Sequence, residues 1–144
     1  MRKLLVAILL VAAVAGCQTA QVTTASGRPE ITVPGPPEKI KPLVLNAALN
    51  RKFTIKSDTP YTLVIEQPST DFATNLLLGS QWNPTVNIRL TLTFVPVGGD
   101  TRIVAEQVAV TNPGTGAERL TPLTGQKAID GVQAWLNEFK APAS

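Results

Sequence analysis

Five apolar residues at every second position, Val86, Ile88, Leu90, Leu92 and Phe94, constrain the fold of this chain more than any other feature. Asn87, Arg89, Thr91 and Thr93 stand between them. Strand side chains alternate between faces, so the stretch from Val86 to Val97 reads as a strand with one covered face, the pattern of an antiparallel sheet. Gly98-Gly99-Asp100 supplies hairpin turn chemistry, and Thr101 to Thr111 reads as the return strand. The return is irregular. Ile103 and Ala105 take one parity while Val104, Val108 and Val110 take the other, which predicts a bulge near Glu106-Gln107.

A second hairpin precedes it. Phe53-Thr54-Ile55-Lys56 alternates, Ser57-Asp58-Thr59-Pro60 is turn-forming, and Tyr61 to Gln67 is rich in β-formers. Three helices are expected around the hairpins. The first runs from Pro42, in the first turn, to Arg51, with Leu43, Val44, Ala47 and Ala48 on one face. The second is short, capped within Ser69-Thr70-Asp71 and ended by Gly79, with Phe72, Ala73, Leu76 and Leu77 toward the core. The last follows Leu120 to Leu123, with Thr124 as its cap. Its stripe is Ala128, Ile129, Val132, Trp135, Leu136 and Phe139; Lys127, Asp130, Gln133, Asn137 and Glu138 form a mixed opposite face, which argues against docking on a membrane. Gly131 within it reads as a place of close packing on the sheet. The expected fold class is α+β: an antiparallel four-stranded sheet built from two hairpins, with helices on one face, in the order α-ββ-α-ββ-α, as a single globular domain over residues 38–144.

The chain ahead of that domain has a different character. Residues 17–37 are rich in Thr and Pro, and Pro29, Pro34, Pro36 and Pro37 oppose a regular helix. They read as a tether that stretches at most about 65–70 Å; the alternative is that Ile31-Thr32-Val33 pairs as an edge strand. Further upstream, Met1-Arg2-Lys3 is basic, Leu4 to Ala15 is an apolar run of twelve, and Val14-Ala15-Gly16-Cys17 ends it. A spanning helix needs roughly 20 apolar residues, so residues 1–16 have the design of a signal peptide rather than a retained span.

Val14-Ala15-Gly16-Cys17 resembles the lipobox of bacterial lipoproteins. The resemblance implies that a peptidase recognising Val14, Ala15 and Gly16 cuts before Cys17, that the Cys17 thiol carries a diacylglyceryl group, and that the freed amine is acylated in many Gram-negative bacteria. Gln18, in place of the Asp that favours inner-membrane retention in enterobacteria, points to the periplasmic face of the outer membrane. Ile55-Lys56-Ser57-Asp58-Thr59-Pro60-Tyr61, together with Thr111-Asn112-Pro113-Gly114 and Glu118-Arg119, is similar to stretches of small uncharacterised bacterial lipoproteins, a likeness that brings no activity with it.

Composition narrows the chemistry. Histidine is absent and Cys17 is the lone cysteine, so a histidine-bearing metal site, a Ser-His-Asp triad and a Cys-His pair are excluded. Ser57, Ser69 and Ser80 lack a lysine three residues on, and Asn112 to Gly116 reads as a turn rather than a phosphate loop. Losing Arg2 and Lys3 with the signal leaves 11 basic residues against 10 acidic ones, with no basic face for nucleic acid. Arg89 and Arg119 read as solvated surface cations. The leading expectation is a non-enzymatic envelope component without metal or cofactor, bound to the membrane through lipid on Cys17 and to an envelope protein. Trp82, in the loop Ser80 to Pro84, is the candidate partner contact, and plugging the edge of the core is its alternative role. A pocket for an apolar ligand or lipid between sheet and helices is the second expectation. A carboxylate-dependent cell-wall hydrolase is the third, drawing on Asp58, Asp71 and Asp100 in turns or caps and on Glu66 and Glu106 on strands.

Overall fold

The computed structural model of the chain describes residues 24–79 and 84–140. In chain order the elements are β1 (Glu30–Pro34), α1 (Pro37–Asn50), β2 (Thr54–Thr59), β3 (Thr62–Pro68), α2 (Phe72–Leu78), β4 (Asn87–Val97), β5 (Asp100–Thr111), β6 (Arg119–Pro122) and α3 (Gln126–Asn137). The sheet has six antiparallel strands in the order β1-β5-β4-β3-β2, with β6 also paired to β5. This overturns the expected four-stranded sheet in the order α-ββ-α-ββ-α. The domain is mostly sheet, with two long helices and one two-turn helix.

The two additional strands carry weak signatures for physical reasons. β1 lies within the stretch read as tether. Its apolar content is Ile31 and Val33, both buried, and its prolines are tolerable because it is an edge strand that bonds only β5. β6 is four residues long and exposed throughout, so nothing alternates. Both strands sit on the same edge of β5: β1 along Asp100–Val104 and β6 along Val108–Thr111. The gap between them is bridged by the bonds from Ala105 N to Pro29 O (2.8 Å) and from Leu123 N to Gln107 O (3.0 Å).

The β4–β5 register is unbroken from Asn87↔Val110 to Val97↔Asp100, so the bulge expected near Glu106-Gln107 is absent. The parity change has another cause. Ile103 and Ala105 lie in the core under the helices; two residues on, the same face presents Gln107, which the helices do not cover. The irregularity in the β2–β3 hairpin lies instead between Ile55 and Ser57, and β2 continues through Ser57-Asp58-Thr59.

Helix α1 begins at Pro37, not Pro42. Proline at the first helical position lacks only a donor that the first turn leaves unused, and the Pro36 carbonyl accepts from Lys39 and Ile40 N–H at 3.0 and 3.2 Å. Pro42 therefore lies inside the helix. The buried stripe is Ile40, Val44 and Ala48, while Leu43 is 61% exposed. The helix ends as a Schellman turn: Lys52 at φ 64°, with Lys52 N–H bonded to Leu49 O and Phe53 N–H to Ala48 O at 2.9 and 3.1 Å.

Asp71 caps α2 through the Thr74 N–H. Leu77, expected in the core, is 79% exposed; the side chains of Phe72, Ala73 and Leu76 lie outside the described residues. Helix α3 starts from Gly125 without a side-chain cap rather than from Thr124. A Cβ on Gly131 would meet nothing within 4 Å, so this glycine serves no close packing. Gln133, expected on the solvent face, is buried. Its carboxamide clasps the free edge of β1, accepting from Glu30 N–H and donating to Glu30 O, each at 2.9 Å.

Candidate functional site

The apolar face of the sheet is not covered to its end. Ile40, Val44 and Ala48 of α1 and Val132, Trp135 and Leu136 of α3 pack with Leu63, Ile65, Leu92, Phe94 and Ile103 into one core. Beside that core lies an open cleft of about 830 Å³, within the usual size of a ligand site. Phe53, Gln67, Ile88, Leu90 and Gln107 line it from the sheet side. Lys127, Ala128, Gly131, Val132 and Trp135 line it from α3, Pro68 to Asp71 and Thr74 from the β3–α2 connection, and Pro122 to Gly125 from the lead into α3. The cleft residues of α3 at 128, 131, 132 and 135 follow helical spacing. The stripe seen in the sequence thus divides: one side is spent on the core and the other on the cleft.

Trp135 is the hinge between the two. It stacks on Phe53 with ring centroids 6.2 Å apart, meets Phe139 edge-on at 5.6 Å, and carries the Arg51 guanidinium 6.0 Å from its centroid. Its indole Nε1–H is buried without a hydrogen-bond partner among the described residues, and so is the Gln107 side-chain oxygen. Both residues line the cleft. Buried polar groups in folded proteins are nearly always satisfied, so an unpaired donor and an unpaired acceptor buried in residues of one cleft wall set these two side chains apart. A smaller cavity of about 190 Å³ adjoins, lined by Gly27, Arg28, Pro29, Ala105, Glu106 and Ile129, and sharing Gln107, Pro122, Leu123 and Thr124 with the cleft. The N-terminal segment joins the sheet there.

The acids expected to serve a hydrolase are placed otherwise. Asp58 pairs with Lys41, Asp71 caps α2, and Asp100 stands exposed at the start of β5. Glu66 and Glu106 lie on the sheet face away from the helices, with β4 between them. Glu66 is 3% exposed and accepts from Arg89 Nε at 2.7 Å and Asn87 Nδ2 at 2.8 Å; Glu106 pairs with Arg28 at 3.5 Å. Arg89, read as a solvated cation, is the centre of a network that also holds Glu118 at 3.0 Å. Burial opposes its charge, but the bonds to Glu66 and Glu118 outweigh burial and raise its pKa.

Two carboxyls titrate below the ordinary range. The Ser26 hydroxyl lowers Glu30 most, with Arg102 adding to it; the Gly114 N–H lowers Glu118 most, with Arg89 adding to it. A general acid requires the opposite shift. Among the described residues, no three His, Cys, Asp or Glu side chains come together to hold a metal ion, and no helix is long and apolar enough to cross a membrane.

Val14, Ala15, Gly16, Cys17 and Trp82 lie outside the described residues. Residues 1–18 match the family described as the prokaryotic membrane lipoprotein lipid attachment site. The chain begins with a bacterial lipoprotein signal region. It is exported and anchored to a membrane through lipid on its cysteine, Cys17. No curated protein and no solved structure matches the chain. Sequence reasoning pointed to Trp82 as a contact, read Trp135 as part of the core stripe of the last helix, and passed over Gln107. The signals that could have found them were an i, i+3, i+4, i+7 row containing Gly131, and a glutamine at an inward strand position.

Proposed function

We propose that this protein is a non-enzymatic binding component of the bacterial envelope, held by its lipid at the periplasmic face of the outer membrane, with the cleft beside α3 as its recognition site. The observation that carries the proposal is the open cleft of about 830 Å³ itself, in which Phe53, Ile88, Leu90, Val132 and Trp135 stand among polar groups such as Gln67, Asp71 and Lys127. An apolar body with a few fixed polar groups is the usual make-up of a recognition pocket. Gln18 supports the outer membrane, and the absence of histidine together with lowered rather than raised carboxyl pKa values supports binding over catalysis. An apolar small molecule or lipid tail is the second reading, favoured by Phe53, Ile88, Leu90 and Val132 in the lining.

The test places a photo-crosslinking amino acid at Lys127, which is exposed on the cleft wall, and at Leu43, which is exposed on α1. In intact cells the position-127 protein gives a discrete adduct that the position-43 protein lacks, and Gly131→Leu, which fills the cleft from a site with nothing within 4 Å, removes it. Equal labelling at both positions, or an adduct indifferent to Gly131→Leu, would overturn the assignment of the cleft.

A further inference from the structure

The helices cover one face of the sheet. The other face has a composition unlike a solvated surface. β4 is the middle strand of the path β1-β5-β4-β3-β2. On it and its two neighbours, Val64, Thr91, Thr93, Val95, Val97 and Val104 take the strand parity that points away from the helices. Val95 is 39% exposed and Val97 50% exposed. No lysine occurs in β1, β3, β4 or β5. The solvated face of an antiparallel sheet is normally polar, whereas loss of lysine with retention of arginine is the signature of protein interfaces.

The charges that this face does carry are tied within it. Arg102 holds Glu30 at 2.6 Å, Arg28 holds Glu106 at 3.5 Å, and Arg89 holds Glu66 and Glu118 at 2.7 and 3.0 Å. Asp100 stands at the rim, where β5 leaves the turn. Between the pairs lie Val and Thr. A face neutralised from within exerts little pull on a strongly charged partner such as nucleic acid or an anionic membrane. It suits a surface like itself, because no bare charge has to be desolvated when the two meet.

The size is also sufficient. The strands run from 4 to 12 residues. At about 3.4 Å along the strand and 4.8 Å across it for each residue, the six together present roughly 700 Å², with the loop that carries Glu118 as a ledge at one end. A stable interface of standard size takes about 600–1,000 Å² from each partner.

We propose that two copies of this chain pack these faces together, sheet on sheet and about 10 Å apart, around a two-fold axis near Thr93. Thr93 lies on the middle strand between Thr62 and Val104. Each cleft lies on the helix side of its own sheet, so both remain on the outside of the pair. The pair is held by two lipid anchors.

The test uses the full lipidated chain, in which the Cys17 thiol is occupied by lipid. A short bismaleimide with a reach of about 10 Å, the spacing of stacked sheets, is applied to intact cells carrying Thr93→Cys or Leu43→Cys. Leu43 is exposed on α1, on the helix side. Thr93→Cys gives a covalent homodimer and Leu43→Cys does not. Sedimentation equilibrium in density-matched detergent finds the wild type at twice the mass of one chain. Thr93→Lys sets two ammonium groups against each other and weakens the dimer about 100-fold. Leu43→Lys leaves it unchanged, and mixing Thr93→Lys with Thr93→Glu restores it. Thr93 is exposed in the single chain, and thermal melts establish that its variants fold. A wild type that stays monomeric up to about 100 µM overturns the proposal. So does a dimer that Thr93→Lys leaves intact, a Lys–Glu mixture that does not re-form it, or a Thr93→Cys adduct whose second chain is a different protein. None of these outcomes depends on the cleft, so the two assignments stand or fall separately.

Discussion

Gln133 is the residue on which the attachment of β1 depends most directly. Its carboxamide makes two 2.9 Å bonds to the backbone of Glu30, on the edge of β1 that no strand covers. Gln133→Leu keeps the bulk and removes both partners. Each bond is worth about 1 kcal/mol net, and the stranded N–H and C=O add a desolvation cost, so the loss is about 2–4 kcal/mol. For a domain of roughly 115 residues, with unfolding entropy near 2.1 cal/mol/K per residue, that lowers Tm by about 8–16 °C. Gln133→Glu refines the test. It keeps an acceptor for the Glu30 N–H but sets a carboxylate against the Glu30 carbonyl, which raises the new group's folded pKa. Its destabilisation is therefore absent below the unfolded pKa of about 4.3 and grows as pH rises through the folded value. Urea and thermal denaturation followed by circular dichroism read the energies, and hydrogen exchange reads the Glu30 amide, which donates to the Gln133 side chain. A Gln133→Leu protein within 0.5 kcal/mol of wild type, with the Glu30 amide still protected, would show that the β5 ladder alone holds β1 and refute the reasoning.

Further predictions concern glycines, a turn and pH. Gly79→Ala places a Cβ 2.3 Å from the Asn75 carbonyl oxygen and 2.7 Å from that of Pro84, both backbone; urea denaturation should show a loss of about 1–3 kcal/mol, whereas Gly131→Ala should gain up to about 1 kcal/mol. Lys52→Gly relieves a side chain held at φ 64° and should stabilise by about 1 kcal/mol, measured the same way; a loss would mean that the lysine side chain contributes more than its backbone costs. Glu30 and Glu118 have lowered folded pKa values, so the stability they contribute is present above the unfolded pKa of about 4.3 and is lost as pH falls through the folded values. Glu30→Gln should flatten that acid limb in denaturant titrations between pH 5 and about pH 2.

The parts of the fold that were legible are those where one physical demand acts on a residue at a time. Leu90, Leu92 and Phe94 face a core and their neighbours do not, and the alternation says so. β5 answers to two demands. Its helix-side residues are core at Ile103 and Ala105 and cleft at Gln107, while Val110 is buried on the opposite face. A change of covering part-way along a straight strand imitates a bulge. β6 was illegible, and β1 was seen only as the alternative at Ile31-Thr32-Val33, because edge strands of four or five residues need little apolar content. Gln133 misled because a buried glutamine and a solvated one are the same letter; only the free edge of β1 distinguishes them. The cleft was half legible. The apolar stripe of α3 was visible, but its division between core and cleft depends on the crossing of α3 over the sheet. That crossing involves contacts distant in sequence, Val132, Trp135 and Leu136 with the sheet core and Gln133 with Glu30. Cys17 was the most legible residue because its chemistry is local: a cysteine after small residues at the end of an apolar run needs no fold.

The incorporation of β1 into the sheet changes what the lipid anchor does. With residues 17–37 free, the domain would range up to about 65–70 Å from its anchor and sample any orientation. With Glu30–Pro34 in the sheet and Thr24 to Arg28 leading into it, seven residues separate Thr24 from Cys17, a span of about 25 Å at most. The chain also joins the sheet at a particular place, the break between β1 and β6 on the edge of β5, where Pro29 and Leu123 each bond a residue of that edge. The same break carries the smaller cavity and shares four of its lining residues with the cleft. A short connection that enters at the edge of the cleft limits how far that cleft can stand from the bilayer. The extra strand on β5, which the proline-rich sequence disguised, thereby converts a general address into a position for one surface of the domain.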